Sequence, residues 1–473
     1  MKNILLIILT LIVQVSFGQT EKPANKTVTE NFVKNYNSED YKTIFSMFSD
    51  TMKEALPSDK TSEFLTGLKT QAGNITNQEF IKYENGTYAS YKTTFERAVF
   101  TLNISIDENS KINGLFVKPF VDEALSENII NGLSVKDKVI TQKQTELIFK
   151  NAKIFPNQTQ IAIAIIKNGQ VTYYGLKRNA DTLSTIDNHS SIFEIGSITK
   201  VFTSTLLSGF VIDKKVQLND NINNYLNLSL KNENKISLKE LSNHTSGLTR
   251  LPSNLDLTTV DLTNPYKEYN EDDLVDYLTK SLDIPQESIG KYQYSNLGAG
   301  LLGYILSKIE GTSFENLLQE KIFNKYNMSS STTKQNNVRG IFVKGLDSNG
   351  KEVSNWEFSV LTGAGGIMSN VEDLSKFALA QLDGSNRELT LTQQKTFEIN
   401  GNMSIGLGWH IIKTKSENQW IWHNGGTGGY SSSMAIDTNN KNAVIILSNV
   451  SAFNPSMKNI DNLCFELMKT LKN

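Results

Sequence analysis

The chain has 473 residues, 38% of them hydrophobic, and a formal net charge of −2. That length and apolar content suffice for an extensive core and for two domains. No basic run accompanies an aromatic platform, which excludes nucleic acid as an expected partner, and a single cysteine, Cys464, excludes an intrachain disulfide.

Lys2 is followed by an apolar run over 4–13, and Ser16 and Gly18 supply the small residues of a cleavage site. Residues 1–18 therefore read as a secretory signal peptide. The run is too short for a stable membrane span, and no cysteine follows the site to accept lipid. A periplasmic or secreted protein is expected.

Residues 19–130 read as a small α+β accessory domain. Helical patterns over 30–52 and 58–72, with Pro57 between them, precede strand-like stretches at 79–83, 87–94, 98–106 and 112–120. Polar sequence around Gly132 places a linker at 131–155. A larger domain, 156–473, opens with the alternating Ile161, Ile163 and Ile165, a hairpin signal at Asn168-Gly169 and a second strand at 171–174.

Three short boxes follow. Ser197-Ile198-Thr199-Lys200 opens an apolar stretch through Val201, Phe202, Leu206, Leu207 and Phe210 that reads as a helix buried nearly all round. Residues three apart share a helix face, so Lys200 projects beside Ser197, near the positive end of the helix dipole. Tyr294-Ser295-Asn296 precedes a helical pattern through Leu297, Leu301, Leu302, Ile305 and Ile309 that Gly311 ends. His423-Asn424-Gly425-Gly426 introduces a strand at 433–436, a turn at 437–441 and a strand at 443–447. A closing helix carries Ile460, Leu463, Cys464, Leu467, Met468 and Leu471 on one apolar face, which reads the thiol as packing.

Singly, each residue has a plainer reading. Serine is a favoured helix cap, Lys200 reads as a solvated lysine, Tyr294 as packing, and His423 as a core histidine beside Trp420 and Trp422. His244 has no second ligand at metal spacing and reads as a loop residue; no metal is expected. Gly363-Ala364-Gly365-Gly366 reads as a tight turn near the pocket, and Ser369 with Glu372 as a capping box.

Order and spacing carry more than the single residues. Together with the segments from Phe193 to Lys200, Leu241 to Leu248, Gly363 to Ser369 and Gly406 to Trp409, the boxes resemble the serine beta-lactamase-related family. Its relevant members are class C beta-lactamases, DD-peptidases, D-aminopeptidases and related esterases. The resemblance runs from about residue 160 onward. It implies a beta-lactamase/transpeptidase-like α/β (α+β) fold, an antiparallel sheet flanked by helices, with a largely helical lobe over 200–419. The small α+β domain ahead of it looks like the nuclear-transport-factor-like type.

Carried over residue by residue, the resemblance makes Ser197 the acylated nucleophile, Lys200 its proton partner and Tyr294 the general base. Asn296, His423, Asn424 and Gly425 become substrate-binding residues, and the backbone N–H groups of Ser197 and Gly426 an oxyanion hole. Lowering a phenol from about 10 to about 7 takes roughly 4 kcal/mol, which one cation at about 4 Å supplies at an effective dielectric near 20. Many relatives place a lysine where His423 stands, so a neutral Lys200 acting as the base stays open. The implied activity is an exported serine hydrolase, without a cofactor, acting on D-amino-acid-containing peptides, peptidoglycan fragments or small esters. Asn424 stands where many relatives have threonine, which ranks beta-lactam hydrolysis lower. A slow or inactive sensor of cell-wall fragments is the rival reading.

Overall fold

The computed structural model describes residues 20–84, 86–120, 128–135, 140–257, 259–414 and 418–471. The segment read as a signal peptide lies outside them. Two units separate, Met1–Val121 and Asp122–Asn473.

In the first unit, helices α1 (Pro23–Asn37), α2 (Tyr41–Ser46), α3 (Asp50–Ala55) and α4 (Ser58–Ala72) precede four strands. These are β1 (Ile75–Glu84), β2 (Tyr88–Phe95), β3 (Val99–Ile106) and β4 (Ile112–Pro119), an antiparallel meander in that order. Phe32, Tyr36, Ile44, Phe48, Leu65, Leu102 and Ile104 form its core, in the nuclear-transport-factor-like arrangement. The helix expected over 30–52 is three helices. Asp40 and Ser49 cap α2 and α3 by accepting from the amides of Thr43 and Met52, and Glu39 takes a positive φ of 60° between α1 and α2. Glu84 pairs with Tyr88 at the β1–β2 turn, of which Asn85 is outside the described residues.

The second unit is built on a ten-stranded sheet. Its strands are β5 (Ile130–Gly132), β6 (Gln160–Lys167), β7 (Gln170–Asn179), β8 (Thr182–Ile186), β9 (Phe397–Asn400), β10 (Met403–Ile405), β11 (His410–Lys413), β12 (Gln419–Gly426), β13 (Ser431–Asp437) and β14 (Asn442–Ser448). They lie in the order β9-β10-β11-β12-β13-β14-β6-β7-β8-β5, and only the β5–β8 pairing is parallel. The β6–β7 turn has positive φ at both Asn168 (52°) and Gly169 (78°), as an Asn-Gly hairpin requires.

Strand alternation sorts the sheet's side chains to two faces. Ala162, Ala164 and Ile166 of β6, with Ile445 and Leu447 of β14, join the core of the helical lobe, where α6 (Thr199–Ile212), α7 (Asn296–Glu310) and α8 (Val371–Gln381) pack. Ile161, Ile163 and Ile165, with Val444 and Ile446, face α5 (Gln142–Ala152) and α9 (Lys458–Thr470). Cys464 is buried there.

Three expectations change. Most of the stretch expected as a linker at 131–155 is folded: α5 has a Thr141–Gln144 capping box, and its Gln144, Lys150 and Asn151 side chains bond Thr470 and Glu466 of α9. The helical lobe does not extend to 419, because β9, β10 and β11 extend the sheet. The cap of α8 is Asn370, which accepts from the Asp373 amide at 2.7 Å, while the Ser369 hydroxyl pairs with that of Ser331.

Candidate active site

Ser197 sits in a 3-10 turn, Gly196–Ile198, that runs directly into α6. This turn lies against the end of β12, and the approach is close enough to require glycine. A Cβ on Gly425 would collide with the Ile195 carbonyl and come within 2.9 Å of the Ser197 nitrogen. Gly196 has φ of +51°, and a Cβ there would strike the Gly426 nitrogen. The Ser432 hydroxyl ties the same turn to β13 by donating to Ile195 O at 2.8 Å. The amides of Ser197 and Gly426 are thus brought to adjoining stretches of backbone. The third box itself forms the end of β12, and the two strands expected after it are β13 and β14.

Lys200 is only 1% exposed. Its Nζ lies 3.0 Å from Ser197 Oγ and donates to Asn296 Oδ1 at 2.9 Å and to Ala364 O at 2.6 Å. Asn296 in turn donates to Tyr266 Oη at 2.9 Å, so both ends of its amide are engaged. The glycine-rich turn at 363–366 therefore borders the site, as expected. Burial drives the Lys200 amine well below its usual range, and the Arg250 charge pushes the same way.

Tyr294 is half-buried, and its hydroxyl faces Ser197. Burial pushes the phenol up to about 12; Ser197 and the Arg250 charge act against it. Two basic side chains lie near its ring, Lys200 Nζ at 4.9 Å and the Arg250 guanidinium at 5.3 Å from the centroid. His244 packs on the ring at 4.5 Å and His423 at 6.3 Å. His244, His410 and His423 are all buried. Burial above all holds His244 and His423 well below the usual imidazole range and takes His410 down to about 4, so all three are neutral at pH 7.

His244 is more than a loop residue: its Nδ1 accepts from the Ser295 amide at 3.2 Å, fixing the second box to the loop 243–250. His423 donates from Nδ1 to its neighbour's carbonyl, Asn424 O, at 2.6 Å, and its buried Nε2 has no hydrogen-bond partner. Asn424 is the residue that departs from expectation. It projects from the opposite face of β12 to His423 and donates to Asp461 Oδ2 of α9 at 2.8 Å, so it does not line the pocket. Sequence reasoning missed Arg250, Tyr266 and His410. His410 follows the Gly406–Trp409 segment directly and Arg250 follows the Leu241–Leu248 segment by two residues, but neither has a local signature of its own. Among the described residues, no group of three or more His, Cys, Asp or Glu side chains could hold a metal, and no helix is long and apolar enough to cross a membrane.

A family model described as Beta-lactamase matches residues 153–463, and one described as a protein of unknown function (DUF3887) matches residues 29–115. A beta-lactamase of Pseudomonas fluorescens is 27% identical over 262 residues, covering 53% of this chain and 69% of the relative. A beta-lactamase of Providencia stuartii is 28% identical over 40% of this chain and 46% of its own length, less than half of that relative. A putative penicillin-binding protein, PbpX, of Bacillus subtilis is 23% identical over 77% of this chain and 90% of its own. Two solved structures share the fold. A beta-lactamase/D-alanine carboxypeptidase from Pseudomonas syringae has TM-score 0.57 and 19% identity, covering 70% of this chain and 98% of that one. A class C beta lactamase from Rhodobacter sphaeroides has TM-score 0.58 and 18% identity, covering 70% and 100%.

Proposed function

Because this chain belongs to the beta-lactamase family of serine hydrolases, we propose that it is an exported enzyme working through an acyl-enzyme on peptide, amide or ester bonds. Its substrates in this reading are D-amino-acid-containing peptides, peptidoglycan fragments among them, and small esters.

The observation that carries the reading is how Lys200 is bonded. A neutral amine has two N–H bonds and one lone pair. Asn296 Oδ1 and Ala364 O take the two N–H bonds, which leaves the lone pair for Ser197 Oγ at 3.0 Å. Burial and the Arg250 charge both favour that neutral form.

Ser197 then loses its proton to Lys200 as Oγ attacks the substrate carbonyl carbon. The new C–O bond forms while the carbonyl π electrons move onto oxygen, which the Ser197 and Gly426 amides receive. On collapse the bond to the leaving group breaks, and the proton on Lys200 passes to the leaving atom, directly or through the Tyr294 hydroxyl. Water repeats the sequence on the acyl carbon, releasing the acid and restoring Ser197.

Beta-lactam turnover ranks below ester and peptide hydrolysis, because Asn424 turns away from the position where many family members present a carboxylate-binding hydroxyl. The export part rests on the apolar run after Lys2; protein recovered from outside the cytoplasm should begin at Gln19.

Intact-mass analysis of the protein and of Ser197→Ala, after a fluorophosphonate, a fluorescent penicillin and a p-nitrophenyl ester, tests the activity. Ser197-dependent adducts with sustained ester turnover support it. No adduct with any probe transfers the weight to the rival reading, a binding or sensing protein.

A further inference from the structure

Strand β7 outruns the strand beside it. Its register with β8 extends only from Asn179 opposite Thr182 to Gly175 opposite Ile186, whereas its register with β6 continues to Gln170 opposite Lys167. Parity fixes where the remaining backbone groups point. The Arg178 amide donates to Thr159 O at 2.8 Å, and its carbonyl accepts from the Gln158 amide at 3.1 Å. The even-numbered residues of β7 therefore bond on the β6 side and the odd-numbered ones on the β8 side. Val171 and Tyr173 are odd and lie past the end of β8. Among the described residues no backbone group pairs with their N–H and C=O on that side, which leaves two donors and two acceptors in a row along one strand edge.

The chain leaves the sheet at Asp187, so β8 does not run on beside them. Asn188 crosses over Gly175, where a Cβ would lie 2.0 Å from its Oδ1, and the His189 ring stacks on Tyr173 with centroids 5.0 Å apart. The result is a groove of about 590 Å³ whose lining includes Val171, Tyr173, Thr185, Asp187 and His189. It is a step cut into the sheet. β8, with β5 beyond it, stands out past the recessed edge, so the straight edge of a second sheet cannot reach Val171, while a single extended chain in line with β8 can.

Charge sets the direction of that chain. The end of β8 closes one end of the groove, so a chain terminus fits there. A strand antiparallel to β7 places its first residue opposite Tyr173 and its amino terminus against Asp187, whose side chain is 83% exposed. A parallel strand would set a carboxylate against a carboxylate. Asp187 Oδ1 lies 2.5 Å from His189 Nδ1, and a carboxylate has acceptor sites enough for an ammonium as well.

We propose that the open edge of β7 is a docking site for the first three residues of an extended peptide, paired antiparallel with Val171 and Tyr173 and held at its α-ammonium by Asp187. The first residue exchanges two hydrogen bonds with Tyr173 and the third exchanges two with Val171, the pattern of strand addition. None of these residues belongs to the Ser197 site, and the inference is independent of the acyl-transfer reading.

Fluorescence anisotropy tests it with the peptide Val-Thr-Val-Thr-Lys, labelled with fluorescein on the lysine side chain, and with its N-acetyl form. Ser197→Ala is the host throughout, so that turnover of the probe cannot pass for binding. The free-amine peptide should bind, and the N-acetyl peptide about tenfold more weakly, as for loss of one hydrogen bond to a charged group. Asp187→Asn should weaken the free-amine peptide to a similar degree and leave the N-acetyl peptide unchanged, which isolates that one contact. Val171→Pro removes an N–H on the open side of the strand, where proline is tolerated, and should weaken both peptides. Failure of both peptides to bind, an N-acetyl peptide that binds as tightly as the free amine, or Asp187→Asn losses that are absent or equal for the two peptides overturn the inference.

Discussion

Lys200 donates to the main-chain carbonyl of Ala364 at 2.6 Å. A turn distant in sequence thereby fixes the tip of a lysine that is almost wholly removed from water, and it fixes it beside Ser197. A carbonyl cannot be protonated at neutral pH or swing away as a side chain can, so it orients the amine without adding the negative charge that would hold it as ammonium.

Lys200→Ala is expected to lower the rate of acylation by about 10²–10⁴, the range of a positioned acid–base group. Lys200→Arg should not restore it, because a guanidinium stays charged and has no lone pair to offer. Stopped-flow acylation by a p-nitrophenyl ester checks both; near-normal acylation of either variant removes Lys200 from the proton path.

The Arg250 charge lowers both the Lys200 amine and the Tyr294 phenol. Removing it raises whichever group must be deprotonated. In Arg250→Ala the acid limb of the kcat/KM profile on a neutral ester should therefore move to higher pH. An acid limb that stays in place or moves to lower pH contradicts the electrostatic assignment.

Gly425→Ala sets a methyl group against the Ile195 carbonyl and the Ser197 amide, both backbone and unable to rotate aside. The turn must shift, carrying with it the Ser197 amide, proposed above as an oxyanion donor. A fall in kcat of about 10²–10³ is expected, as for loss of one such donor. Gly401→Ala, where the added methyl meets nothing within 4 Å, is the control for handling and folding.

Asn424→Ala leaves Asp461 without its 2.8 Å donor in a place where burial already pushes that carboxyl up. A stability loss of about 1–3 kcal/mol is expected from the stranded group, read by urea unfolding, with kcat/KM little changed. A large loss of activity at unchanged stability would return Asn424 to the pocket.

The sequence was most legible where its signals are short-range. Ser197 and Lys200 are one helical turn apart, and Asn168-Gly169 is a complete hairpin instruction, so both could be read without knowing any partner. Asn424 was misplaced for a related reason. Once His423–Gly426 is taken as the end of a strand, period-two alternation sends Asn424 and His423 to opposite faces, but the box was read as preceding a strand. The break-up of the helix expected over 30–52 had signals in Asp40 and Ser49, and the Thr141–Gln144 capping box marked α5. Strands as short as β10 have too few residues for alternation to register. Arg250, Tyr266 and His410 come together only through tertiary folding, which no window of sequence contains.

The middle of the large sheet joins Ile166 to Ala443 and Ile161 to Ser448, and the glycines facing Ser197 lie on β12, more than two hundred residues after it. A ribosome therefore extrudes the nucleophile well before the strand that would receive the oxyanion exists. A stalled or prematurely ended product holds Ser197 and Lys200 but lacks the Gly425–Gly426 edge that packs against the serine turn.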